Sequence, residues 1–298
     1  MPPLGELYVQ AYRGRAMDNL SLLEFSLQLR QQQPQRSFSF NWQGQKLWLK
    51  QQEPALPAWR RVLPKLIASL SSNPLYFPSI EPVAALAGEA KRLQLLGSLG
   101  FNVPRVLVAS EEYLVLSDVG PSLKYWLTEA QPDTEQRREI LLQAAAALAK
   151  LHQHNRWHGR PALRDLCWDG KQIGFIDFEE NPHQQLSIDQ CMVRDVLIFV
   201  HGLYRYLEHT DPLIEEVITE YRRLAPGRVW RDSLAVVDQM WLVYPLLELS
   251  HGLLGKDGKQ ALLALRQLRQ HRSGQQRSKL PWIVLSLLLA YALADQFD

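Results

Sequence analysis

Leu20, Leu23, Leu27 and Leu29 recur among polar neighbours near the start of the chain, which predicts a helix in the first thirty residues that closes in the polar run Gln31-Gln32-Gln33-Pro34. Polar and apolar positions then alternate from Ser37 to Trp42 and again from Lys46 to Lys50, across a Gln43-Gly44 turn, and this predicts a β-hairpin. A helical stripe of Trp59, Val62, Leu63, Leu66, Ile67 and Leu70 follows, interrupted by Pro64, and a second helix is expected from Glu89 to Leu99, ending at Gly100. Val103–Ala109 and Tyr113–Gly120 read as two further strands joined by Ser110-Glu111-Glu112. After a connector at Pro121–Leu127 the pattern becomes helical: Glu135–Gln153, Asp189–Leu207, Pro212–Leu224, Ser233–Leu254, Lys259–Arg272 and Trp282–Phe297. A strand-bearing front, 1–120, and a helical back, 121–298, therefore meet near Gly120, and no internal repeat is evident.

Composition narrows the class. With 298 residues, 46% hydrophobic and 21% charged, the chain can bury a large core in one or two domains. A formal charge of +2 gives no reason to expect nucleic acid as a partner. Cys167 and Cys191 form no Cys-x-x-Cys pair and suit a reducing compartment, and Met1–Glu6 lacks a secretory pattern, so a cytoplasmic location is expected. Trp282–Ala294 is strongly apolar but shorter than the roughly 20 residues of a spanning helix, which predicts a core helix. Arg266, Arg269, Arg272, Arg277 and Lys279 just before it leave open a peripheral contact with the inner membrane.

The candidate chemistry concentrates between Trp157 and Glu179. Trp157-His158-Gly159-Arg160 leads to Asp165, and the apolar run Ile173–Ile176 leads to Asp177-Phe178-Glu179. Upstream stand Lys50 at a strand end, Glu89-Ala90-Lys91-Arg92-Leu93, Val103-Pro104-Arg105-Val106-Leu107, Leu116-Ser117-Asp118-Val119-Gly120 and Leu148-Ala149-Lys150-Leu151-His152. In this order, over roughly residues 36 to 200, the set resembles the protein-kinase-like superfamily. In detail it resembles the bacterial lipopolysaccharide core kinases that phosphorylate heptose or Kdo.

The resemblance implies an α+β, two-lobed fold, with a small sheet-bearing N-lobe over 1–120 and a larger helical C-lobe over 121–298. It also implies ATP and Mg2+ as cofactors and a small-molecule or saccharide hydroxyl as acceptor. Phosphoryl transfer runs through a loose, anionic transition state, so such sites work by positioning and charge stabilisation. Lys50 is expected on the α/β-phosphates, with Glu89 as its ion-pair partner; Lys46 competes for its place. Backbone groups of Leu116 to Asp118 are expected at the adenine, and Asp165 and Asp177 at the metal. His158 is expected to brace the loop, Asp189 and Asp195 to act as scaffold, and the cluster His152, His154, His158 is not read as a metal site. Trp59, Arg60, Arg61 and Lys65 form a basic aromatic stripe that could meet an anionic saccharide or a lipid headgroup, or simply pack.

Three features depart from the family pattern. Glu179 replaces the glycine of the metal turn, and Ser37–Gln45 carries only Gly44 where a phosphate-covering loop would be glycine-rich. Arg160 stands where the family has its catalytic Asp, and a guanidinium cannot accept a proton. Three alternatives stay open at this point. In one, Arg160 is recruited to phosphate charge while Asp165 or Glu179 handles the proton; in another, Arg160 pairs with Asp165, making a pseudokinase that binds a nucleotide or partner without turnover; in the third, the loop is structural only. A membrane-surface adaptor is a further alternative from a different class.

Overall fold

The computed structural model describes residues 16–52, 82–239 and 256–270. The anticipated helices at Pro57–Leu70 and Trp282–Phe297, and the stripe of Trp59, Arg60, Arg61 and Lys65, lie outside these residues. The described residues fall into two compact units, one of 16–52, 82–121 and 167–181, the other of 122–166, 182–239 and 256–270. The molecule is thus α+β, with a small antiparallel sheet in one unit and helices in the other.

The first unit is built on a four-stranded antiparallel sheet of order β1-β2-β4-β3, from β1 (Ser37–Trp42), β2 (Gln45–Gln51), β3 (Val106–Ala109) and β4 (Tyr113–Ser117). Trp42 pairs with Gln45, and Gln43 and Gly44 both have positive φ (48° and 75°), so the hairpin closes in a two-residue type I′ turn. The period of two sorts β2 between two faces. Leu47 and Leu49 face Leu22 of helix α1 (Ala16–Gln32), with Tyr113, Val115, Phe38 and Phe40 around them. Lys46, Trp48 and Lys50 point to the opposite face.

That opposite face receives helix α2 (Pro82–Ser98), whose buried positions Leu86, Glu89, Ala90, Leu93 and Leu96 recur at helical spacing. The helix starts seven residues before the expected Glu89, with Pro82 in its first turn, where proline's missing N–H is no loss. It ends in a Schellman motif: Phe101 N donates to Leu96 O and Gly100 N to Gly97 O, with Gly100 at φ 79°. A ribbon of β5 (Leu166–Trp168) and β6 (Ile173–Phe175) joins this unit beyond Leu166, through Trp168 N to Pro121 O (2.9 Å) and Phe175 N to Asn102 O (3.0 Å). Gly120, at φ 96°, admits this ribbon, since a Cβ there would lie 2.8 Å from the Trp168 carbonyl oxygen.

The second unit is helical. Helix α3 (Thr134–Gln153) starts at Asp133, whose side chain accepts from Gln136 N, and α4 (Ile188–Tyr206) starts in a capping box of Ser187 and Gln190. Helix α3 packs on α5 (Leu213–Leu224), and α4 on α6 (Gly227–Gln239) and α7 (Lys256–Gln270). Helix α6 begins six residues ahead of the expected Ser233, directly after Pro226. Among the described residues no helix is long and apolar enough to cross a membrane.

Candidate functional site

In the first unit the sheet, α2 and the segment after β6 deliver charged side chains to one place. Lys50 lies on the α2 side of β2 and is buried there; Glu89 lies on the buried stripe of α2, and its side chain is only 1% exposed. The ammonium meets both Glu89 oxygens, at 3.0 and 2.8 Å, Asp177 Oδ1 at 2.7 Å and Glu179 Oε1 at 3.0 Å. Lys46, on the same face, is half exposed and pairs instead with Asp118 at 3.2 Å. The structure therefore puts Lys50, not Lys46, against Glu89.

Electrostatics follow from this crowding. Burial, the largest single influence, opposes charge on Lys50, but Glu89, Asp177 and Glu179 outweigh it and hold the ammonium well above its ordinary range. Burial pushes the Glu89 carboxyl up, and Lys50 offsets part of that rise.

The turn that carries Asp177 is held by α2. Phe178 N donates to Glu89 Oε1 (3.1 Å), while Arg92 Nη1 donates to Phe178 O (3.1 Å) and Glu180 O (2.6 Å). The Arg92 guanidinium also lies 4.9 Å from the centre of the buried Phe178 ring. Asp177 itself has φ 64°, a left-handed conformation that Asp tolerates better than most side chains. Arg36, just before β1, bonds both oxygens of Glu179. Sequence reasoning did not assign Arg36 or Arg92 to this cluster. Arg36 carries no local signal; Arg92 stands three residues after Glu89, a spacing that shares a helix face.

Could this cluster hold a hard cation? Glu89, Asp177 and Glu179 offer oxygens within 4.8 Å of one another, the right donor chemistry for magnesium. Three carboxylates against the Lys50 ammonium and the Arg36 guanidinium leave a formal charge of −1. Glu89 is enclosed with Lys50 and the Phe178 amide, so the partly exposed Asp177 is the more accessible ligand, and Glu179 joins it only by exchanging its bonds to Arg36 for the cation.

The supposed adenine contact is constrained by the sheet. Leu116 lies in β4 opposite Trp48 and Val106, Asp118 N donates to Lys46 O at 3.3 Å, and the Asp118 carboxylate accepts from Trp48 Nε1 (2.6 Å) and Gly120 N (3.1 Å).

The loop of Arg160 belongs to the second unit. Asp195 of α4 accepts from His158 N (2.5 Å) and Gly159 N (2.8 Å), and Arg194 Nε donates to Gly159 O (2.8 Å), with Gly159 at φ 102°. Buried His152 faces Asp195 at 3.3 Å and Tyr221 Oη at 2.7 Å, while His158 Nδ1 accepts from Arg160 N. Asp189, by contrast, is exposed and pairs with Arg228. Asp165 is buried between two arginines, Arg160 Nε at 3.6 Å from one oxygen and Arg164 Nε at 3.7 Å from the other.

No protein-family model matches the chain. It is 29% identical over 213 residues to an uncharacterized protein of Haemophilus influenzae, an alignment that takes in 72% of this chain and 81% of that protein.

Proposed function

We propose that this chain is an ATP- and magnesium-dependent phosphotransferase with a protein-kinase-like fold, acting on a hydroxyl of a saccharide such as a lipopolysaccharide core sugar. The observation that carries the reading is the buried Lys50 ammonium, bound to the helix carboxylate Glu89 and to Asp177 at the end of an apolar strand. A lysine fixed in this way is a preformed cation for the phosphates of a nucleotide. Its charge persists at neutral pH, because three carboxylates face it. Asp177 and Glu179 would hold magnesium, which when bound neutralises phosphate charge. Glu89 keeps the lysine in place. The reading carries with it the cytoplasmic location expected from the sequence, with a peripheral membrane contact left open.

A second reading, a pseudokinase that binds a nucleotide or partner without turnover, is favoured by one observation. Asp165, the position expected to ligate metal, is enclosed by Arg160 and Arg164. Arg160 cannot serve as a base.

Calorimetric titration of the protein with ATP, with and without magnesium, tests the proposal. Magnesium-dependent binding that is lost in Asp177→Ala supports it, and absence of binding to the parent protein overturns both readings. Release of phosphate from ATP in the presence of core saccharides then separates enzyme from pseudokinase.

A further inference from the structure

Glu89 and Arg92 lie one helical turn apart on α2 and take hold of opposite backbone groups of the same residue. Glu89 accepts the Phe178 N–H and Arg92 donates to the Phe178 carbonyl, while the same Arg92 nitrogen reaches on to the Glu180 carbonyl. The Phe178 ring is fully buried with the guanidinium packed on it. Asp177, immediately before this grip, is in a left-handed conformation that is strained for an ordinary residue and persists only where neighbours impose it.

We infer that Arg92 is a positioning residue: with Glu89 it clamps the turn 177–180 onto α2, so that turn and helix move as one body and the Asp177 carboxylate is presented to Lys50 only in that clamped state. The turn is thereby tied to α2 through its backbone and not through the ion pairs alone, while the Glu179 side chain is held in addition by Arg36 from the β1 side. The clamp itself stands on the geometry; its effect on nucleotide affinity rests on the phosphotransferase reading.

Backbone amide exchange on the full, ligand-free chain tests the clamp. In the parent, the Phe178 amide, which donates to Glu89, is expected to exchange as slowly as those of α2 around Glu89 to Arg92; exchange about a hundredfold faster overturns the inference. Arg92→Met keeps an apolar stem over the Phe178 ring but removes both hydrogen bonds. It is expected to raise exchange over 177–180 by about tenfold or more, with the β1–β2 hairpin unchanged, and Arg92→Lys, which restores a donor, to recover part of the protection. Unchanged exchange at 177–180 in Arg92→Met, or a rise spread evenly over the whole unit, shows that Arg92 does not position the turn.

A parallel titration with magnesium and ATP is expected to show about tenfold weaker binding for Arg92→Met, the size of one lost interaction. If the parent binds no ATP, the phosphotransferase reading falls, while the exchange data still decide the clamp.

Discussion

Lys50 shows how a residue acquires its role from the face on which it lies. Lys46 and Lys50 both point to the α2 side of β2, yet Lys46 is half exposed beside Asp118 and Lys50 is buried among three carboxylates. Breaking a buried pair by removing one partner strands a charge and costs about 3–5 kcal/mol. Lys50→Met is therefore expected to lower stability by that amount in chemical denaturation. Adding Glu89→Gln should recover part of the loss, because it removes the stranded charge and keeps an acceptor for the Phe178 amide.

The sign with pH follows from the raised Lys50 value. Its stabilisation is complete below the ordinary 10.5 and is lost as pH rises beyond it, so the gap between parent and Lys50→Met should narrow in alkaline solution. A gap that is constant from neutral to strongly alkaline pH would contradict the ion-pair account. The Lys50 and Glu89 pairing was legible as what the resemblance to protein kinases implies for a strand-end lysine and a helix glutamate. Glu179's approach was not, because it depends on the left-handed φ of Asp177.

At the scale of elements, the two units hold their loops by the same device. Helix α2 takes the N–H of Phe178 with an acid and its C=O with an arginine; helix α4 takes the N–H of Gly159 with Asp195 and its C=O with Arg194. Both anchored residues are followed or preceded closely by a candidate functional side chain, Asp177 in one and Arg160 in the other. Asp195→Asn leaves one oxygen where two are engaged and turns an amide toward a backbone donor. A loss of about 1–3 kcal/mol is expected, read as a lower melting temperature, with faster amide exchange at His158 and Gly159. Unaltered exchange there would mean that Asp195 does not hold the loop. The expected helices were largely recovered from their apolar period, but the three-residue β5 was not, since Leu-Cys-Trp is too short to show alternation.

At the scale of the molecule, the chain leaves the sheet unit at Pro121 and returns to it at Cys167. The segment 167–181 supplies Phe175 and Phe178, both buried, and the partners of Asn102 and Pro121. Removing one buried phenylalanine costs about 3–5 kcal/mol against a total stability of about 5–15 kcal/mol. A fragment ending at residue 121 is therefore expected to lack a cooperative thermal transition by circular dichroism, and one with 167–181 attached through a flexible linker to regain it. A sharp transition in the short fragment would show the sheet unit to be complete without the segment.

The α+β order of elements was legible along the chain, because the periods of two and 3.6 are local and reflect one buried face for each element. Lys50, Glu89, Asp165 and Asp177 were singled out through the resemblance of the ordered motifs to those of protein kinases. Only the tertiary structure decided which lysine is buried, that Arg36, Arg92 and Glu179 join the Lys50 cluster, and that Asp165 is enclosed by two arginines. Burial and ion pairing are set by groups brought together from distant parts of the chain, and by single backbone angles at Asp177 and Gly159 that no short pattern encodes.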